Sequence, residues 1–533
     1  MASPSPETPS GRAPRGTFLA FLVATALLCG ALVMVIEVLG SRVIGPYFGV
    51  SLFVWTSLIT VTLVGLAAGY AVGGWLSDRR PDADWLYGIV LAAGAAVLLL
   101  PYVKEPVLRG SLSLGLRAGA LASAAAIFFP SLFLLGCVSP YIVKIAAKEI
   151  RSIGRVVGAL YAVSTVGSCV GTVLTGFVLI AAFGVDRIFQ VVGVLLLALG
   201  GLYFALFRGR WWLAAPAVLA LALPQQARLR SGTLPGGMRV TEVYRADTFY
   251  GRIDVMDLAF DEGATRELII DGAVQGGMDL ETGLSTYPYA HVLGVLPRAL
   301  HPDGRRCLVV GVGAGLVPAW YERQGVSTDV VEIDPQVLEV ARRHFGLAVS
   351  GRVVLDDARH FLNVNRETYD YVLLDAFSGD TMPGHLLTRE ALALAAASLA
   401  PRGILAVNLV AGLGPEDRVA ASVARTLSTL FDHVEVRPLF EPGRRPFGSV
   451  EIVAYRGPRR ALDREAVERF PVHPAAAWAL PFLWTTHDWH RTGGLTLTDD
   501  HNPMEVMDLS VREAVRRSIA SARRDWDLGS MPR

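Results

Sequence analysis

Six apolar runs, each about the length needed to cross a bilayer, crowd the first 207 residues of this chain, at 17–36, 52–76, 85–103, 118–143, 156–182 and 188–207. A hydrocarbon core takes about 20 apolar residues per helix, and backbone polar groups there must be satisfied within the helix. The runs therefore predict an α-helical membrane bundle. Composition agrees: 52% of the 533 residues are hydrophobic and 18% are charged, with a mean hydropathy of +0.43. A soluble protein of this size carries more charge. Small residues recur within the runs (Gly65, Gly69, Gly73, Gly74; Gly167, Gly171, Gly176). In lipid such residues let helices pack closely. A seventh run, 211–223, is short for a span and contains Pro216.

Basic residues set the expected orientation. Arg12 and Arg15, then Arg79 and Arg80, then Lys144, Lys148, Arg151 and Arg155, then Arg208 and Arg210 fall on alternate connections, hence on one side. The N-terminus is expected in the cytoplasm, and six spans return the chain there. The segment 211–223 is read as interfacial or re-entrant, with a short seventh span as the alternative. Residues 1–16, rich in Ser, Pro and Gly, read as a disordered tail. The run after them is longer than a signal-peptide core and reads as a retained span. Glu37, with Arg42 five residues on, is an acid near membrane depth and so a functional candidate. Local pairing with Arg42 is the plainer account. The segment GGWLSDRR (73–80) resembles a cytoplasmic loop motif of major facilitator transporters.

The second half changes character. Residues 239–276 alternate apolar and polar in two runs, GRIDVMDL and RELIIDGAVQ, separated by DEGAT. That pattern predicts a β-hairpin. From 305 on, strands are expected at 306–311, 328–333, 352–355, 370–375, 403–409, 433–438 and 450–455, alternating with helices. Repeated βα units imply a parallel sheet with helices on both faces, and ligands beyond the carboxyl ends of its strands. The expected divisions are a 1–16 tail, a 17–227 helical membrane domain, a 228–300 linker and small β-region, a 301–510 α/β domain and a 511–533 tail.

The chemistry is expected at those strand ends. LVVGVGAGL (308–316) is a strand closing on a glycine turn, where Gly311, Gly313 and Gly315 permit a tight turn and close backbone approach to a ligand. Glu332 ends the next strand, where a ribose diol is held. Asp356 and Asp357 follow the third strand and Asp375 follows the fourth. A single strand-end Asp is as readily a helix cap. Three acids after three successive strands suit a nucleoside of the S-adenosylmethionine type: one on the ribose, one on the adenine, one at the reacting centre. The turn lacks the third-glycine spacing of a dinucleotide site. Net charge +1 implies no bulk attraction to nucleic acid. The four cysteines show neither metal-ligand spacing nor a disulfide framework, so no metal is expected.

Taken in order, GVGAGL, VVEIDP, DDAR and YDYVLLDAFSGD resemble the spermidine synthase (polyamine aminopropyltransferase) family, and IIDGAVQ is similar to that family's LDGxxQ segment. IEVLGSRVIGPYFG, VWTSLI, VSPYIVK, GRVVGALYAVSTVGS and TDDHNPME resemble segments of fused major-facilitator-like/spermidine synthase-like membrane proteins. The resemblance runs over about 30 to 505 and implies a Rossmann-like S-adenosylmethionine-dependent transferase fold preceded by a small β-hairpin region. It implies that Gln275, Glu332, Asp356, Asp357 and Ala358 contact the cofactor with the glycine turn. It implies that His291, Tyr287, Ser378 and Asp380 line the substrate site, and that Asp375 accepts the amine's proton.

Two positions depart from the family. Its glycine loop carries an acid that holds the donor's amine, and here that place is Ala314; its second catalytic-segment acid is here Ser378, with Asp380 two further on. The expected activity is a membrane-anchored polyamine aminopropyltransferase. It would move an aminopropyl group from decarboxylated S-adenosylmethionine, as co-substrate, to an amine such as putrescine. A methyltransferase using S-adenosylmethionine on the same fold is the first alternative, favoured by Ala314. A non-catalytic polyamine- or nucleoside-binding transporter or sensor is the second. The expected partners are the lipid bilayer and a small-molecule amine, with a homodimer left open and no nucleic acid.

Overall fold

A computed structural model describes residues 15–49, 52–149, 153–221, 231–234, 237–261, 263–377, 379 and 382–525. The expected tail before residue 15 lies outside them, as do Ser378 and Asp380. The chain divides into two compact units, Met1–Arg228 and Leu229–Arg533.

The first unit is helical: Arg15–Phe48, Leu52–Arg79, Ala83–Ser111, Gly115–Glu149, Ile153–Leu174 and Val185–Arg208, with Ile153–Leu174 running on through a π turn at Thr175–Leu179. Five helical stretches among the described residues are long and apolar enough to cross a membrane. One of them, Ala83–Ala147, is reversed midway by the 3-10 turn Leu112–Leu114 and by Gly115 at φ +79°, so that its halves pack against each other. Glu37 lies inside the first helix, half-buried, because that helix continues twelve residues past the apolar run.

Glycines let these helices touch backbone to backbone. A Cβ on Gly73 would come within 2.6 Å of Cys137 Cα, and one on Gly171 within 2.8 Å of Ala31 Cα. Large apolar side chains meanwhile face outward, among them Leu63, Val64 and Phe177, the last 76% exposed. Ion pairs sit near the helix ends: Arg208 Nε lies 2.5 Å from Asp84, and Lys104 pairs with Asp186. The seventh run forms a 3-10 turn, Trp211–Ala214, and a helix, Ala215–Leu221. It folds back along Val185–Arg208, with Ala214 packed at Gly201 and Gln190 Nε2 donating to Ala220 O at 2.8 Å. That path follows the preceding helix.

The second unit opens with an antiparallel sheet of five strands: β1 Ser231–Thr233, β2 Arg239–Asp247, β3 Arg252–Phe260, β4 Gly263–Ile270 and β5 Ala273–Asp279. The expected hairpin is its β3–β4 portion. Between β4 and β5 the chain turns through Asp271 (φ +46°) and Gly272 (φ +80°), the Asp-Gly signature of a tight hairpin turn. A larger sheet follows, ordered β11-β12-β10-β9-β6-β7-β8. Its strands are β6 Arg306–Val310, β7 Ser327–Glu332, β8 Val353–Leu355, β9 Tyr369–Leu374, β10 Leu399–Gly412, β11 His433–Pro438 and β12 Phe447–Tyr455. All seven expected strands are present. The sheet is mixed rather than wholly parallel, because β12 runs antiparallel to both β10 and β11. The chain joins β11 to β12 by a short loop, which leaves no room for the crossover that parallel pairing requires. Residues 511–525, expected as tail, belong to the helix Leu509–Asp525, which buries Val511, Arg512 and Arg516.

The helix contacts predict that Gly73→Val and Gly171→Val, each adding a branched side chain where backbones meet, destabilise the helical unit by about 1–3 kcal/mol. A lowered Tm in detergent is the expected readout. Substitution at Gly176, which has nothing within 4 Å of its would-be Cβ, should leave Tm unchanged.

Candidate active site

Strand order reverses between β6 and β9, the place where open α/β sheets bind their ligands. β6 ends in the glycine turn. Gly311, Gly313 and Gly315 all have positive φ (+89°, +51° and +76°), a conformation side chains resist. A Cβ on Gly311 would meet Ala376 Cα at 2.7 Å, and one on Gly315 would meet Leu347 Cβ at 3.0 Å. Gly313 instead faces open space, with Gln275 O at 3.7 Å. The turn thus presents bare backbone toward β5.

Glu332, at the end of β7, is 8% exposed. Its Oε2 accepts from Val312 N at 2.9 Å and its Oε1 from Asp334 N at 3.0 Å. Burial raises its carboxyl above the usual range, while these backbone N–H groups pull it back. Asp334 caps the helix Pro335–Phe345, and Thr248 Oγ1 donates to it at 2.5 Å. Tyr250, half-exposed, donates its backbone N–H to Thr248 Oγ1 at 3.0 Å, and burial with the charges of Asp334, Asp357 and Glu332 pushes its hydroxyl up.

Asp357 is a helix cap: its Oδ1 accepts from Arg359 N at 2.9 Å and His360 N at 3.0 Å, and Ala358 begins the helix Ala358–Val364. Asp356 lies beside it, 2.6 Å from His360 Nδ1. Both carboxylates keep an exposed side. Arg359 reaches across to Asp499 of the TDD segment, with Nη1 donating at 2.6 Å, and this pair holds Asp499's carboxyl down at about 2.

Asp375 follows β9. Its backbone N–H donates to Val310 O at 2.8 Å, which locks it beside the glycine turn. Asn408 Nδ2 donates to its Oδ1 at 2.8 Å. The residue is partly exposed overall, yet its carboxyl is turned inward. Burial pushes its pKa up to about 7, with the Asn408 amide working the other way. Gln275 Nε2 donates to Gly379 O at 2.6 Å and so bridges β5 to the loop after β9.

The expected substrate residues divide. Tyr287 is hydrogen-bonded to Glu267, a buried acid pushed up to about 7 by desolvation. His291 is 2% exposed with Nε2 2.7 Å from Ser285 O, and burial keeps the ring neutral. These two support β5 rather than face the glycine turn. The tyrosine within electrostatic reach of Asp375 is Tyr289, whose hydroxyl donates to Gln275 O at 2.7 Å. Tyr289, Asn408 and Glu451 are the groups that sequence reasoning left out. For Asn408 and Glu451 the signal was a polar residue alone in an apolar strand, as in LAVNLV and SVEIVAY. A surface cleft over Phe260, Thr265, Asp279 and His473 holds none of these groups. No cluster of His, Cys, Asp and Glu suited to a metal occurs among the described residues.

No family model matches the chain. It is 36% identical over 131 residues to a polyamine aminopropyltransferase of Vibrio vulnificus, covering 23% of this chain and 43% of that protein. It is 27% identical over 412 residues to an N-terminal histidine N-methyltransferase of Emericella nidulans, covering 68% of this chain and 70% of that protein. The second match is longer than the C-terminal unit alone and so reaches into the helical unit. A probable spermidine synthase of Corynebacterium glutamicum superposes with a TM-score of 0.38 at 18% identity, over 52% of this chain and 93% of that one. Part of the chain is therefore homologous to polyamine aminopropyltransferases, and the relatives are transferases. The chain spans less than half the length of the Vibrio relative.

Glu332→Gln would remove the charge and set an amide N–H against one of the two backbone donors the acid now satisfies. Charged hydrogen bonds of about 1.5–3 kcal/mol are at stake. Affinity for methylthioadenosine and S-adenosylhomocysteine, measured calorimetrically, should fall roughly tenfold to a hundredfold. Unchanged affinity for both would remove Glu332 from the site.

Proposed function

We propose that the C-terminal unit is an S-adenosylmethionine-dependent transferase acting on an amine nitrogen, and that the group it transfers is methyl. Position 314 carries that choice. In the aminopropyltransferase pattern an acid there holds the amine of the decarboxylated donor. Here Ala314 is 3% exposed and packs with Ile253, Val255, Leu268 and Leu316. A Cβ on Gly276 would lie 3.3 Å from its own Cβ. A carboxylate at this spot would be buried among apolar groups. The long match to a fungal N-methyltransferase supports the same reading.

The residues fit such a nucleoside. Glu332 offers a buried carboxylate for a ribose diol, Asp356 and Asp357 lie beyond the next strand for the adenine, and Gly313 leaves space against the turn. When bound, the donor supplies a carbon activated by a positively charged sulfur. Asp375 takes the proton that the amine nitrogen must lose as its new bond to carbon forms. A carboxyl pushed up to about 7 is a far better base than an ordinary aspartate and is still partly ionised near neutrality. Asp375 works as the carboxylate, so turnover should fall as pH drops through about 7 and level off above it. Aminopropyl transfer is the second reading, favoured by the 36% identity to the Vibrio aminopropyltransferase.

The helical unit we assign to a bilayer, on the length of its apolar helices and their outward apolar faces. The basic connections and the cytoplasmic supply of the nucleoside favour a cytoplasmic C-terminal unit. The path of Trp211–Leu221 back along its neighbouring helix is the observation that favours the other side.

Incubation with each donor and a panel of amines, including a peptide with an N-terminal histidine, should yield S-adenosylhomocysteine by mass spectrometry. Methylthioadenosine would move the second reading to first place. Asp375→Asn should lower turnover roughly 10²–10⁴-fold, the usual contribution of a positioned base, with nucleoside affinity and Tm largely kept. A folded variant with near-normal turnover would sink the assignment. A reporter fused after Arg533 should be active only in its cytosolic form; activity of a periplasmic reporter would make Trp211–Leu221 part of a true crossing.

A further inference from the structure

Glu451 stands on β12 with no role in the chemistry above. It is 1% exposed, and neither carboxyl oxygen has a hydrogen-bond partner among the described residues. Its register partner on β10 is Asn408, so the two side chains lie next to each other on one face of the sheet. Asn408 is 3% exposed, and its Oδ1 also lacks a donor. On its other side, one step past the Val407–Leu374 pair, Asn408 Nδ2 donates to Asp375. A buried acid and a buried amide oxygen thus sit side by side with only acceptors between them. Buried acceptors are rarely left so, and a protonated carboxyl is a donor.

We propose that Glu451 is a positioning residue: as a neutral acid it donates to Asn408 Oδ1, which fixes the amide so that its N–H groups point at Asp375. This rests on the reading of Asp375 as the proton acceptor. The surroundings favour the neutral form. Burial first, and the charge of Asp375 second, hold Glu451's carboxyl well above the usual range. Arg437, opposite Glu451 on β11, turns its Nη1 and Nη2 to Leu483 O and Glu435, and its Nε bonds to neither Glu451 oxygen. Tyr289 and Tyr321, the titratable groups on the two neighbouring helices that sense Glu451, are hydroxyls pushed well up by burial. Among the described residues no cation bonds to either oxygen of Glu451. Without the donor, Asn408 can turn over and present its oxygen to Asp375, which would raise Asp375 further.

The test uses full-length protein in detergent and two variants. Glu451→Gln keeps a donor for Asn408; Glu451→Leu removes it. Infrared spectra at alkaline pH, where Asp375 is ionised, should show a protonated-carboxyl band in the parent protein that both variants lose. In the pH–rate profile, Glu451→Gln should leave the acid limb in place. Glu451→Leu should move it up by about one unit, the scale of one charged hydrogen bond. Turnover would then drop near neutrality and recover at alkaline pH, with KM little changed, whereas a merely structural defect lowers turnover at every pH. Absence of the band in the parent, or a limb that moves to lower pH in Glu451→Gln, would mean an ionised Glu451 and overturn the proposal. If Glu451→Leu does not fold, the band and the Glu451→Gln limb still decide. If no amine is turned over at all, the reading of Asp375 fails while the band still decides Glu451's proton.

Discussion

The carboxylate of Glu332 holds the site together before any ligand arrives. One oxygen takes the N–H of Val312 in the glycine turn and the other the N–H of Asp334 at the head of the next helix. A single buried acid therefore fixes the spacing between the ends of β6 and β7. Beside that turn Gly313 faces open space, and the N–H of Asp375 on Val310 O ties the segment after β9 to it. Backbone donors make the burial of this acid tolerable, since a buried carboxylate without partners is costly.

The two halves use the same residue type in two different ways. In the helical unit glycine removes side chains so that backbones of neighbouring helices can touch, as at Gly73 and Gly171. In the α/β unit glycine adopts left-handed backbone so that the turn after β6 can close against the segment after β9, as at Gly311. Periodicity made the first use readable and position after an apolar strand made the second readable.

Much of the fold was legible for that reason. Apolar runs, strand ends and the glycine turn are local signals, and the helices, all seven strands of the large sheet and the strand-end acids stand where those signals put them. What stayed hidden was register. No local pattern says that Asn408 lies between Asp375 and Glu451, because that neighbourhood is created by pairing strands more than forty residues apart in places. The reversal of β12 was missed because a missing crossover is visible only as a short loop. Asp357 shows the converse difficulty: the Asp before a helix serves as its cap whether or not it also meets a ligand. Tyr287 and Tyr289 differ by two positions, and only the start of the helix Pro288–Leu300 decides which of them looks toward Asp375.

Arg516 has a consequence in time. It is 1% exposed, its Nη1 donates to Asp271 O in the β4–β5 turn at 2.8 Å, and a Cβ on Gly379 would meet its Nη2 at 3.0 Å. The loop after β9 is thus backed by a residue synthesised well over a hundred positions later. A ribosome-bound chain that has completed every strand of the sheet would still lack this backing. The loop gains this support only once the helix Leu509–Asp525 has left the exit tunnel.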